Sequence, residues 1–119
     1  VEIMSRIHQW SELTAPELAA LAAADPVAIL PVAAIEQHGA HLPLSTDLDI
    51  GLGLLAAAAG QLESTRGVIA LPPLALGSSL EHTDFAGTLS LMPETAMTVI
   101  EALGEAVHRA GIRRLVLSA

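Results

Sequence analysis

The sequence predicts an α/β domain built on a mainly parallel sheet, and three observations carry that reading. Apolar runs of strand length occur at 27–34 (VAILPVAA), 67–76 (GVIALPPLAL) and 112–119 (IRRLVLSA). The first two lack the alternation of a half-exposed strand, as expected for strands covered on both faces. Helical patterns lie between them, and that alternation belongs to layered α/β domains with right-handed crossovers. The composition agrees: 52 % hydrophobic and 15 % charged residues, with a mean hydropathy of +0.57, put disorder out of reach.

The elements follow in order. Thr14-Ala15-Pro16-Glu17 reads as a capping box, with Pro16 in the first turn where its missing N–H costs nothing. The helix it opens should end near Asp25-Pro26. The strand at 27–34 comes next, then a polar stretch at 35–47, IEQHGAHLPLSTD. DLDIGLGLLAAAAGQLE at 47–63 predicts a second helix, weakened by Gly51 and Gly53. The strand at 67–76 is cut off by Pro72-Pro73, and a polar loop at 77–87 leads into TLSL at 88–91, a short extended piece.

Pro93-Glu94 opens a third helix, whose apolar stripe is Met97, Ile100, Leu103, Ala106 and Val107. Gly111 is its expected C-cap, behind His108 and Arg109. The strand at 112–119 closes the order α-β-loop-α-β-loop-α-β. Functional groups of such sheets gather beyond the carboxyl ends of the strands, so the loops at 35–47 and 77–87 should meet on one edge. The sequence stops at its third main strand, which would leave an apolar sheet edge bare. The expectation is a chain truncated there, with residues 1–119 forming the N-terminal part of a single domain.

Several classes are excluded or disfavoured. The formal charge of −8, with five Lys and Arg in total, disfavours a nucleic-acid surface. No apolar run reaches the ~18 residues of a membrane span, and VEIMSRIHQW lacks a signal-peptide pattern. Without cysteine there is neither disulfide nor thiolate ligand. No G-x-G-x-x-G follows either early strand, which removes a nucleotide-binding Rossmann reading. A cytoplasmic protein is expected. The apolar surplus is compatible with a surface buried against another chain.

Residues 35–47 hold the chemistry. Glu36 and His38 stand two apart, so on an extended segment they share a side. Asp47 lies past a turn shaped by Gly39 and Pro43, in the first turn of the next helix. An imidazole between two carboxylates suits Zn²⁺, Mn²⁺ or Fe²⁺, and a carboxylate can bridge two ions. The competing reading is a solvated loop in which Asp47 serves as N-cap. His41 is a further candidate ligand or supporting donor. Asp49 reads as a solvated first-turn carboxylate; His8, His108, Met4, Met92 and Met97 belong to no motif.

IEQHGAHLPLSTD resembles the creatininase-family signature E-Q-H-G-P-H-L-P-L-x-T-D. GSSLEHTDFAGTLSL is similar to the family's G-x-S-x-E-H-x-x-F-P-G-T-x-S-L, and the likeness runs from about Val27 to the end. It implies a three-layer α/β/α fold and two divalent ions, Zn or Mn with Fe possible. Glu36 and His38 would hold different ions and Asp47 would bridge them. Ser79, Glu81, His82 and His41 either line the substrate pocket or support a ligand, or else only tie down their loops through hydrogen bonds.

The remaining family ligands, a His in an N-G-H-G-G-N-like loop and a Glu, come after the segment that RRLVLSA resembles, and the proton donor is expected there too. Ala40 and Ala86 replace the usual prolines of HGPH and FPGT, which relaxes the loops without removing a ligand. The activity implied is hydrolysis of a C–N bond in a small cyclic amide such as creatinine. Formamide hydrolysis and peptidase action on a peptide cofactor precursor are the alternatives, as is a non-catalytic module that binds metal or a partner. The family also implies a homo-oligomer, often a hexamer.

Overall fold

The computed structural model describes residues 7–62 and 66–119. Met4 and the last residue of the helix expected over 47–63 lie outside that range. The described elements are β1 (Ile7–Gln9), α1 (Ala15–Ala22), β2 (Val27–Pro31), α2 (Thr46–Ala59), β3 (Val68–Ala70), α3 (Pro93–Arg109) and β4 (Arg114–Ser118). Short 3-10 turns occupy Trp10–Glu12 and Leu80–His82. The strands form one parallel sheet in the order β1-β3-β2-β4.

The three expected strands are present, each shorter than its apolar run, and β1 adds a fourth at the sheet edge. Three residues are too few to show a period, so β1 left no mark in the sequence. It exists because Ile7, His8 and Gln9 find Val68, Ile69 and Ala70 alongside them. Val32 and Leu74 extend the ladder past the ends of β2 and β3 as an isolated bridge.

Side-chain alternation along β2 and β3 builds two cores. Ala28, Leu30, Ile69 and Leu71 point to one face, where α1 and α3 supply Leu18, Leu21, Ala22, Leu103 and Val107. Ile29, Val68 and Ala70 point to the other, where α2 supplies Leu55 and Ala59. Helices therefore cover both faces of the sheet, the three-layer arrangement.

The helix ends follow local rules. Thr14 Oγ1 accepts from the Glu17 backbone N–H at 3.3 Å, the first half of the expected capping box. Past α3, Gly111 takes φ +92°; its N–H donates to His108 O, and the N–H of Ile112 donates to Val107 O. That pair of bonds is a Schellman cap, and it needs a residue without Cβ strain at position 111. Of the stripe predicted on α3, Val107 is buried while Met97 stays 61 % exposed.

Asp25 joins α1 to β2 in the left-handed region (φ 54°). Its carboxylate takes Arg66 Nη1 at 2.7 Å and Arg114 Nη2 at 3.0 Å, with Arg113 Nη2 at 3.5 Å. The hydrogen bonds from Arg66 and then Arg114 hold its pKa at about 2. Because the strands are parallel, this clamp gathers the amino ends of β2, β3 and β4 at one pole. The loops leaving their carboxyl ends meet at the other.

Candidate functional site

Residues 35–44 fold back on themselves as a small antiparallel ribbon. The Glu36 N–H donates to Leu44 O at 3.2 Å, His38 bridges Leu42, and Gly39 turns the chain at φ +78°. The second loop adds an outer strand: the Leu89 N–H donates to Ile35 O at 2.9 Å and the Gln37 N–H to Thr88 Oγ1 at 3.1 Å. The two polar loops therefore do meet on one edge, with TLSL supplying the extended segment that joins them. Gly77 permits the approach, since a Cβ there would lie 2.9 Å from the Ala33 carbonyl oxygen.

Alternation along this ribbon sorts the side chains. Glu36 and His38 point together towards the first turn of α2, where Asp47 stands. Glu36, His38 and Asp47, all half-buried, each bring one donor atom within 4.8 Å of the others. A second trio shares Glu36: donor atoms of Glu36, Glu81 and His82 also lie within 4.8 Å of one another. Asp47 is not the N-cap that the solvated-loop reading requires. Ser45 holds that position and its Oγ donates to Asp49 Oδ2 at 2.8 Å, so Asp47 is left turned to the ribbon.

The hydrogen bonds of His38 define what it can bind. Its Nδ1 lies 3.0 Å from Glu36 O, and a carbonyl only accepts, so Nδ1 carries the hydrogen. Nε2 then faces Asp47 Oδ1 at 3.2 Å. With a second proton on Nε2 the two form an ion pair; without it, two lone pairs oppose each other across a gap suited to a cation. The pKa of His38 is raised, first by the Glu36 carbonyl and further by the Asp47 carboxylate, with partial burial opposing. An imidazole oriented through Nδ1–H with a free Nε2 is the usual state of a metal-ligating histidine. The donor set, one nitrogen and carboxylate oxygens, fits a Zn- or Mn-type ion.

The other sequence-derived candidates fall in different places. His41 is exposed in the turn and joins neither trio. Ser79 is 1 % exposed, and its backbone N–H donates to Ser90 Oγ at 2.7 Å. Glu81 is exposed and His82 half-buried, with His82 Nε2 3.9 Å from Glu81 Oε1. Beside Asp47 opens a cleft of about 350 Å³ lined by Val32, Ala33, Ile50, Gly51 and Leu54 among others.

Two residues that join the loops were not singled out from the sequence, Gln37 and Thr88. Alternation could have marked Gln37, since its neighbours on both sides are candidate ligands and it must face the other way. Thr88 carried no such signal.

The family model described as Creatininase: Creatinine amidohydrolase matches residues 11–118. The mycofactocin precursor peptide peptidase of Mycobacterium ulcerans (strain Agy99) is 35 % identical over 104 residues, which covers 83 % of this chain and 42 % of the relative. The creatinine amidohydrolase of Pseudomonas putida is 33 % identical over 120 residues, covering 96 % of this chain and 45 % of the relative. A solved structure named Creatininase Mn aligns with a TM-score of 0.80 and 32 % identity, over 92 % of this chain and 43 % of that one. The chain spans less than half the length of these relatives.

Proposed function

This chain belongs to the creatininase family, and from that membership we propose that it is the N-terminal part of a metal-dependent hydrolase that cleaves an amide C–N bond. The observation that carries the reading is the convergence of Glu36, His38 and Asp47 on one point. These three residues would hold the divalent ions, Asp47 between two of them. Such ions supply Lewis acidity, acidifying water and polarising a carbonyl oxygen.

The chain's own part is preorganisation. The ribbon fixes the spacing of Glu36 and His38, and the Glu36 carbonyl keeps Nε2 of His38 as the outward nitrogen. The first turn of α2 delivers Asp47 opposite. The cleft beside Asp47, with its apolar wall of Val32, Ala33, Ile50 and Leu54, would seat the organic part of the substrate. The remaining ligands and the proton donor would come after β4, as the family resemblance implies.

A small cyclic amide is the first substrate reading, by similarity to the creatinine amidohydrolase. A peptide amide is the second, supported by relatives named as peptide peptidases. Assembly into a homo-oligomer, which the family resemblance implies, completes the proposal.

Cation binding tests the assignment. Glu36→Gln and Asp47→Asn should each lower the bound Zn²⁺ or Mn²⁺, measured by elemental analysis after dialysis and by titration calorimetry. Unchanged stoichiometry and affinity in both variants would remove the metal centre from the proposal.

A further inference from the structure

The two trios share Glu36, yet their histidines are not held alike. Gln37 decides the difference. Its Oε1 lies 3.1 Å from the Gly39 backbone nitrogen, and a backbone N–H can only donate. That bond fixes the amide orientation without reference to how nitrogen and oxygen are labelled. The NH₂ end of Gln37 must therefore face His82, and Nε2 stands 3.2 Å from His82 Nδ1. An NH₂ group only donates, so His82 Nδ1 is the acceptor and carries no hydrogen. The ring hydrogen of His82 is on Nε2, the nitrogen turned to the Glu81 carboxylate at 3.9 Å.

The Nδ1 atoms of His38 and His82 thus have opposite roles around a common carboxylate, a donor in His38 and an acceptor in His82. His38 donates through Nδ1 to the Glu36 carbonyl and turns Nε2, the nitrogen a cation would take, to the Asp47 carboxylate. His82 spends its lone pair on Gln37 and presents an N–H to the acidic side of the cluster. We infer that Gln37 is a positioning residue that locks His82 as the Nε2–H tautomer, making His82 a hydrogen-bond donor and excluding it from the cation shell.

Three consequences follow. The group Glu36, Glu81 and His82, although its atoms are close enough, is not a second cation site, because neither nitrogen of His82 offers a lone pair. The N–H it offers suits an oxygen of a bound carboxamide or carboxylate arriving beside Glu36. The chain from Gly39 through Gln37 to His82 also ties the turn of the first loop to the second, so the donor is set by the same ribbon that spaces Glu36 and His38. The use of this donor on substrate rests on the hydrolase reading above; the tautomer does not.

The test reads the proton directly. Long-range ¹H–¹⁵N spectra of the full chain distinguish bare from protonated ring nitrogens, and His82→Asn assigns the resonances. The wild-type chain should show His82 with a bare Nδ1 and a protonated Nε2. Gln37→Glu keeps an acceptor for the Gly39 N–H but replaces the NH₂ donor with a carboxylate oxygen, and Nδ1 of His82 should become protonated. Gln37→Met, which removes the donor to His82 together with the acceptor for the Gly39 N–H, should give a mixture of both tautomers; either variant counts once its amide spectrum shows the native fold.

A wild-type His82 protonated at Nδ1, or a pattern unmoved in both variants, would overturn the inference. Repeating the wild-type spectrum with Zn²⁺ separates the two readings. Zinc should shift Nε2 of His38 and leave both His82 nitrogens in place. A direct zinc shift at His82 would sink this inference, whereas loss of the His38 shift alone would count against the metal centre.

Discussion

Gly77→Ala is the substitution that couples the fold to the site most directly. A Cβ at position 77 would stand 2.9 Å from the Ala33 carbonyl oxygen, where a comfortable carbon–oxygen contact needs about 3.3–3.6 Å. Backbone, not a flexible side-chain tip, is what must give way, by about half an ångström. Overpacking of this kind costs about 1–3 kcal/mol. For a chain of this length that is a fall of roughly 4–12 °C in melting temperature.

The strain enters where the loops meet. Gly77 O accepts from the Leu91 N–H at 2.8 Å, and two residues earlier Leu89 bonds Ile35. Separating them disturbs the ribbon that spaces Glu36 and His38, so Zn²⁺ affinity should also fall, by about tenfold, as when a ligand's supporting partner is lost. Circular-dichroism melting and calorimetric titration measure the two effects. Gly53→Ala is the internal comparison: it lies in the middle of α2 with nothing within 4 Å of the added carbon, and should gain about 0.5–1 kcal/mol. A Gly77→Ala chain that melts with the parent and binds zinc equally well would refute the reasoning.

Leu30→Ala empties the centre of the larger core, where Leu30 is fully buried between α1 and α3; it should cost about 2–5 kcal/mol in urea denaturation with the slope unchanged. Asp25, held at about 2 by its arginines, has a folded pKa below the ordinary 3.8. Its contribution is therefore complete above pH 3.8 and is lost as pH falls through about 2. Asp25→Asn should flatten that part of the acid-unfolding profile while leaving the cation site at the opposite pole intact, and an acid limb identical to the parent's would refute the role given to the clamp.

The architecture was legible because two periods are written plainly in the chain. The unbroken apolar runs at β2 and β3 are what a strand covered on both sides demands, and the structure puts Ala28 and Leu30 on one core and Ile29 on the other. Thr14 and Gly111 marked helix ends for reasons local to a few residues, so they too could be read in advance. β1 could not, because a three-residue strand is defined by its partner and not by its own pattern.

The candidate site divides along the same line. Residue identity alone determined that Glu36, His38 and Asp47 carry the right donor atoms at a spacing a turn could close, and motif similarity pointed to the family. Whether Nδ1 of each histidine donates or accepts, and that Ser45 rather than Asp47 caps α2, depended on partners 2 to 45 positions away. Hydrogen-bond direction is a property of two groups brought face to face, and only the packed chain decides which groups those are.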